Sequence, residues 1–247
     1  MTQQFWLLKS CELFEQLPAA ALERLEQLSQ KKSFARKELI YLPSDAADSI
    51  FVVTEGRVRI YHINPDGKEA VLGFINQGEL FGELAALEAT DRNEYAEAME
   101  KTTLVKVPSE GLQQAMETSA QFTLGITKLI GLRRRRIEQR LKSMLFRSNR
   151  DRLVHLLLEL AEQYGRVHPE GLALGIKLSH QELASIIGST RETVTVVLNE
   201  MQEEGLLTIK RRQVILKKLV RMAESIEQPV PKLPISSASA ELLLRKT

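Results

Sequence analysis

The stretch LSHQELASIIGSTRETVTVVLNEM, residues 178–201, opens with a clear helix start. Ser179, followed three positions later by Glu182, has the pattern of a capping box ahead of an apolar run. Gly188 is the residue type that most often ends a helix. The pattern therefore predicts a short helix that stops at this glycine.

A second helix start follows directly. Ser189, with Glu192 three positions later, repeats the capping pattern. The apolar residues that recur on the inward face of this second helix are Val194, Val197, Leu198 and Met201. Two short helices joined by a three- or four-residue turn with a glycine form a DNA-reading unit, whose second helix enters the major groove. We therefore expect residues 189–201 to be a recognition helix.

The outward face of this recognition helix carries side chains that can read base pairs. Its members are Arg191, Glu192, Thr195, Val196 and Asn199. Arginine binds guanine O6 and N7 in bidentate fashion, and glutamate accepts a hydrogen bond from cytosine N4. Glu192 could instead only close the capping box, Arg191 could only contact phosphate, and Val196 could contact a thymine methyl group or no base. Asn199 is expected to be a solvated polar residue. We expect Arg191 and Glu192 to read G·C pairs.

A basic hairpin is predicted after the recognition helix. Residues 205–221 contain six basic residues and no acidic one, and two short β-prone runs flank Lys210-Arg211-Arg212-Gln213. Such a hairpin is a wing suited to phosphate contact, which anchors a protein without specifying sequence. The residues predicted to support DNA binding are Ser179, His180, Gln181, Ser189, Thr190, Lys210, Arg211 and Arg212. For His180 and Gln181, simple exposure to solvent is the alternative.

Residues 119–147 predict one long helix. The segment lacks proline, and its apolar residues recur with a spacing of seven. A helix of about 27 residues spans ~40 Å, too long to bury within one domain, so its apolar seam is expected to pair with a second copy across a two-fold axis. The predicted dimer contacts are Ile126, Ile130, Ile137, Leu141 and Met144.

Four consecutive arginines, residues 133–136, interrupt this helix. Four successive positions cover every side of a helix, so at least one guanidinium must point toward the partner or the N-terminal domain. The others are expected to form a solvated basic face.

The N-terminal half has the pattern of a β-rich domain. A short amphipathic helix is predicted over residues 18–31, and a strand over residues 50–62. The tetrapeptide at residues 64–67, Asn-Pro-Asp-Gly, has the composition of a tight turn. Glycines then recur at short intervals, which is typical of many short strands. These features predict an all-β roll or barrel.

Composition and charge narrow the function further. The 247 residues, 43% of them hydrophobic, are enough for two domains, and no apolar stretch is long enough to span a membrane. The N-terminus lacks a secretion signal, so we expect a cytoplasmic protein with no membrane partner. Residues 1–108 carry 12 basic and 17 acidic side chains, whereas residues 109–147 carry 8 basic and 3 acidic ones. A polyanion is therefore expected to bind the C-terminal half of the chain.

Enzymatic and metal chemistry have little support. No nucleophile elbow, phosphate-binding loop or zinc-protease motif is present, so we predict no catalytic residues. The single cysteine, Cys11, cannot supply an iron-sulfur or structural zinc site, and the four histidines lack ligand spacing. We predict no metal site, while haem ligation by one histidine stays open.

The motif at residues 178–207 resembles the helix-turn-helix signature of the CRP/FNR family of transcriptional regulators, with weaker similarity over residues 10–220. The resemblance implies base reading at Arg191, Glu192, Thr195 and Val196, although most members carry arginine where this chain has Val196. RNA polymerase is a partner that the resemblance leaves open.

The segment FGELA, residues 81–85, looks like the corresponding segment of cyclic-nucleotide-binding rolls. By that resemblance Glu83 would accept from a ribose hydroxyl and Arg92 would clamp the cyclic phosphate. The full ligand-binding set implied in this way is Gly82, Glu83, Leu84, Arg92 and Asn93. Acidic neighbours of Arg92, and Ile137 and Glu138 in place of the adenine-contacting hydroxyl residues, disfavour a cyclic nucleotide. We expect another small effector or none, and no certain cofactor.

The resemblance implies an α+β protein in four parts. Residues 1–118 would form a double-stranded β-helix (jelly-roll-like) sensor domain, residues 119–147 the dimerisation helix, and residues 148–221 a winged helix-turn-helix. Residues 222–247, rich in Pro, Ser and Ala, are expected to be a disordered tail. The function expected is a homodimeric transcriptional regulator that binds double-stranded DNA at a pseudo-palindromic operator. The alternative is a cyclic-nucleotide-binding regulatory subunit of an enzyme or channel.

Overall fold

The computed structural model describes Leu8, residues 11–210 and residues 213–234. The chain divides into two compact units, residues 1–135 and residues 136–247. None of the helices in the described part of the chain is long and apolar enough to cross a membrane.

The first unit is built on two antiparallel sheets. Its strands are β1 (Gln30–Phe34), β2 (Leu39–Tyr41), β3 (Ser49–Glu55), β4 (Arg57–Ile63), β5 (Glu69–Asn76), β6 (Leu80–Phe81), β7 (Tyr95–Ala98) and β8 (Thr102–Pro108). One sheet has the order β1-β8-β3-β6, and the other has the order β2-β7-β4-β5. Because the chain passes repeatedly from one sheet to the other, the predicted β-roll is confirmed.

Gly56 breaks the run that the sequence predicted as one strand over residues 50–62. Its φ of +84° is a left-handed value, and a Cβ atom there would lie 2.6 Å from Oγ1 of Thr102. The chain turns at this glycine and leaves β3 in one sheet for β4 in the other. The predicted turn at residues 64–67 joins β4 to β5, with the Gly67 N–H donating to Asn64 O at 2.9 Å.

Two apolar cores support the roll. The core between the sheets contains Tyr41, Phe51, Val53, Val58, Ile75, Phe81, Ala96 and Leu104. The second core joins Ile50, Val52, Val105 and Val107 of β3 and β8 to apolar side chains of α1 (Ala19–Leu28), α3 (Ser109–Thr118) and the start of α4 (Ala120–Phe146). A short 3-10 helix (Glu12–Gln16) adds Phe14, whose ring lies 5.3 Å from that of Phe122.

The long helix predicted over residues 119–147 is α4, but one of its predicted dimer contacts is wrong. Ile126 is 1% exposed and belongs to the second core of the roll. Ile130 is partly buried against that same core. The first part of α4 turns its apolar side toward the unit's own sheet, so Ile126 is not available to a partner. Further along the helix, Ile137, Leu141 and Met144 are 62%, 56% and 44% exposed.

The second unit contains the predicted winged helix-turn-helix. Its elements are α5 (Asn149–Tyr164), β9 (Gly165–His168), β10 (Gly171–Leu174), α6 (His180–Ile187), α7 (Arg191–Glu203), β11 (Leu207–Lys210), β12 (Gln213–Leu216) and α8 (Leu219–Glu224). The strands form a sheet of order β11-β12-β10-β9. β11 and β12 make the predicted wing hairpin, whereas its tip residues Arg211 and Arg212 lie outside the described residues.

The tail was predicted to begin at residue 222, but residues 222–224 belong to a helix. Helix α8 continues to Glu224, and Met222 and Ala223 are fully buried. The apolar side of this helix packs on α5 and adds to the core of the second unit. Residues 235–247 lie outside the described residues.

Candidate nucleic-acid interface and sensor site

The first helix of the motif begins as predicted. Ser179 Oγ accepts from the Glu182 N–H at 3.2 Å, and the Ser179 N–H donates to Glu182 Oε2 at 2.7 Å, which completes the capping box. Gly188 ends α6 with a φ of +65°. Because its hydroxyl is engaged in this cap, Ser179 serves first to define the helix start.

The N-cap of the recognition helix lies one residue later than the predicted Ser189. Thr190 is the N-cap and accepts from the Thr193 N–H at 3.2 Å, so α7 begins at Arg191 and not at Ser189. Ser189 instead belongs to the turn, because its N–H donates to Ala184 O at the end of α6. Glu192 therefore does not close a capping box. It is exposed in the first turn of α7, so a purely capping role for Glu192 is excluded.

Helix α7 has two contrasting faces. Val194, Val197, Leu198 and Met201 are buried, between 0% and 8% exposed. Arg191, Glu192 and Asn199 are exposed, and Val196 is 56% exposed. The apolar face packs on α5 and α6, so the charged first turn points away from the core of the unit. This is the orientation that reading a DNA groove requires.

Thr195, the remaining predicted reading residue, contacts α6. Its Oγ1 donates to Arg191 O at 2.8 Å and lies 2.8 Å from His180 Nδ1. His180, predicted as a phosphate contact, is thus partly buried against the reading helix, whereas Gln181 is exposed. The structure brings Thr195 and His180 together, which their spacing in sequence did not indicate.

Three side chains that the sequence analysis missed hold the motif in place. Arg152 donates to Ile187 O at 2.7 Å, at the end of α6. Arg150 pairs with Glu204 at 2.7 Å, which links α5 to the end of α7. Gln202 Oε1 accepts from the Ile209 N–H at 3.0 Å and so joins α7 to β11. For the two arginines no local sequence signal exists, because their partners lie 35 and 54 residues away.

On the wing, Lys210 forms an exposed ion pair with Glu170. The hydrogen bond from Lys210 is the main cause of the lowered pKa of the Glu170 carboxyl. A DNA phosphate would have to compete with this carboxylate for Lys210.

In the first unit, the predicted phosphate clamp Arg92 is buried inside the protein. Its guanidinium donates to Gly82 O at 2.6 Å and to Ser49 O, and it lies 4.6 Å from the centre of the Tyr41 ring. Arg92 is 3% exposed. Gly82 has a φ of +77°, and a Cβ atom there would lie 2.5 Å from Nη1 of Arg92. The two amino groups of Arg92 are therefore engaged by main-chain carbonyls.

Glu83, the predicted ribose contact, is also engaged by the protein. It is 2% exposed, and Arg133 of α4 donates to its Oε1. Arg133 donates in addition to Leu80 O. One of the four consecutive arginines thus points toward the N-terminal domain, which is one of the two directions that the sequence left open.

These residues do not fit a cyclic nucleotide in this structure. Gly82, Glu83 and Arg92 lie close together, whereas Leu84 is 53% exposed and Asn93 is exposed. A cyclic phosphate would need the donors that Arg92 gives to Gly82 and Ser49. A ribose would need the carboxylate that Glu83 gives to Arg133.

No group of three or more metal-ligating side chains converges within residues 11–210 and 213–234. Cys11 is buried, and this burial raises the pKa of its thiol.

A β-roll followed by a winged helix-turn-helix defines a class of DNA-binding regulators with an N-terminal sensor domain. Residues 31–119 match the cyclic nucleotide-binding domain family, and residues 151–225 match the Crp-like helix-turn-helix domain. The chain belongs to the CRP/FNR family and is a DNA-binding transcriptional regulator.

Similar proteins include regulators from several bacteria. The global nitrogen regulator of Synechococcus elongatus is 29% identical over 187 residues, which cover 75% of this chain and 84% of that protein. The CRP-like protein Clp of Xanthomonas euvesicatoria is 29% identical over 211 residues, covering 81% and 89%. A CooA mutant from Carboxydothermus hydrogenoformans has a similar structure, with a TM-score of 0.71, 27% identity, and coverage of 81% and 88%.

Proposed function

We propose that this regulator is a homodimer that binds a pseudo-palindromic operator, with one copy of α7 in the major groove of each half-site. The half-site centres would lie one helical turn apart, about 34–36 Å. The observation that carries the proposal is the exposed Arg191-Glu192 pair at the start of α7, on a helix whose opposite face is buried. As the DNA target of a bacterial regulator lies in the cytoplasm, the proposed place of action is the cytoplasm.

The dimer is supported by the exposed apolar residues on the second half of α4. Ile137, Leu141 and Met144 follow one another at spacings of four and three, which places them on one side of the helix. Leu145, four positions after Leu141, extends this exposed apolar surface and is 66% exposed. Pairing with a second copy would remove this surface from water.

The sensor domain is proposed to act without a cyclic nucleotide. Arg133 and Glu83 already link α4 to the segment after β6, and Arg92 is held by main-chain oxygens. Isothermal titration with cAMP and cGMP is expected to show no saturable binding. Binding that Arg92→Ala abolishes would overturn this part of the proposal.

DNA binding is tested by fluorescence anisotropy with duplexes enriched from a random pool. The logarithm of the association constant should fall linearly with the logarithm of salt concentration, because cationic side chains displace counterions from phosphate. Lys210→Gln should reduce this slope by about one while leaving the preferred sequence unchanged. Wild-type protein that enriches no duplex from the pool at low salt would contradict the proposed function.

A further inference from the structure

The hydroxyl group of Thr195 has no proton left for a base. It donates to Arg191 O and contacts His180 Nδ1, both at 2.8 Å. A threonine hydroxyl has a single proton. With that proton on Arg191 O, the His180 ring donates to Oγ1 from Nδ1. In the other tautomer, the hydroxyl donates to His180. In either arrangement, Thr195 offers a base its methyl group and an acceptor lone pair on Oγ1, but no proton for a guanine acceptor.

The next residue, Val196, offers methyl groups alone and is 56% exposed. Thr195 follows Arg191 by four positions, and Val196 follows Glu192 by four, so both lie one turn further along the same side of α7. The outward face of α7 is thus charged in its first turn and apolar in its second.

We propose that the second turn of α7 reads a thymine through its C5 methyl group, with Val196 and Thr195 as the contacts and His180 as a positioning residue. The inference rests on the DNA binding proposed above. The C5 methyl group is the apolar feature that a thymine presents in the major groove. An apolar pair without a free hydroxyl proton favours it over guanine, whose groove edge offers two acceptors.

The test replaces each thymine of the enriched operator, one at a time, with deoxyuridine, which removes the methyl group and leaves base pairing intact. At one thymine in each half-site, the wild-type protein should lose about four-fold in affinity per site, the factor that corresponds to ~0.8 kcal/mol for one buried methyl-sized group. Val196→Ala should lose most of its sensitivity to that replacement. Asn199→Ala, a change at another exposed position of α7, should retain it.

The role of His180 is tested by base preference. His180→Ala should broaden the preference at this thymine, and His180→Asn, whose amide can still bond to the Thr195 hydroxyl, should restore it. A purely structural role would instead lower affinity equally for all sequences and lower the unfolding midpoint.

If the protein binds the operator tightly and replacing any thymine with deoxyuridine leaves the affinity unchanged, this inference is overturned and the proposed function stands. If deoxyuridine lowers the affinity of the wild type and of Val196→Ala equally, the methyl contact belongs to another residue. That result would also overturn the inference. Failure of the wild-type protein to bind any duplex would overturn both proposals.

Discussion

Arg133 of α4 donates a charge-assisted hydrogen bond to Glu83 of α2 (Glu83–Glu88), a carboxylate that is 2% exposed. The two residues lie 50 positions apart in the chain. The same guanidinium also donates to Leu80 O at the end of β6. A single side chain therefore joins the long helix to the segment that resembles a nucleotide site, and it neutralises the buried charge there.

Replacing Arg133 by methionine should destabilise the first unit. Breaking a buried ion pair by removing one partner costs about 3–5 kcal/mol, and we expect about 2–3 kcal/mol because the Arg133 side chain is 24% exposed. Urea-induced unfolding followed by circular dichroism measures the change. Arg135→Met, at an exposed position two residues further along α4, is the matched control and should change the free energy of unfolding by less than about 0.5 kcal/mol. Equal losses for the two variants would mean that the Glu83 pair contributes nothing specific.

The second unit should lose stability in mild acid because of His155. Burial is the main cause of its lowered pKa, and the positive charges of Arg147 and Arg140 act in the same direction. The unfolded chain therefore binds the proton more readily than the folded chain does, so stability rises with pH in this range. The stability that depends on keeping His155 neutral is fully present above the ordinary histidine pKa of about 6.5. It is lost as the pH falls below that value.

The measurement compares the free energy of unfolding of the second unit at pH 7.5 and pH 5.5. His155→Gln, which cannot bind a proton, should show a smaller decrease than the wild type. The same decrease in both proteins would assign the acid sensitivity to other groups.

Leu141→Glu should disrupt the dimer. Leu141 is 56% exposed on the apolar side of α4, and a glutamate there would bring two like charges into an interface formed by two copies of the helix. Analytical ultracentrifugation should show a dimer for the wild type and mostly monomer for the variant. Gln139→Glu adds the same charge to another side of the helix and should remain dimeric. A wild-type monomer at micromolar concentration would contradict the role assigned to α4.

Local signals in the sequence carried the prediction of the fold. The capping box at Ser179 and the turn at residues 64–67 depend on residues within a few positions of one another, and the structure contains both. The start of α7 was placed wrongly because Ser189 and Thr190 are both good N-cap residues. The contact that decides between them, from the Ser189 N–H to Ala184 O, belongs to the preceding helix.

Contacts between distant parts of the chain could not be predicted. The apolar spacing of α4 is the same whether an isoleucine faces a partner or its own domain, so Ile126 was assigned to the wrong surface. The partners of Arg133 and Arg152 follow from tertiary structure alone. For the same reason, the resemblance implied ligand roles for Glu83 and Arg92, but it did not reveal that the protein itself engages both side chains.

The central claim is that Arg191 and Glu192 at the start of α7 read base pairs. The most direct measurement is sequencing of duplexes enriched from a random pool by the wild type, Arg191→Ala and Glu192→Ala, all checked for an unchanged unfolding midpoint. The wild type should enrich a pseudo-palindrome with G·C pairs in each half-site, and each variant should lose about 1–3 kcal/mol of discrimination at one of those pairs. Identical base preferences in all three proteins would contradict the claim.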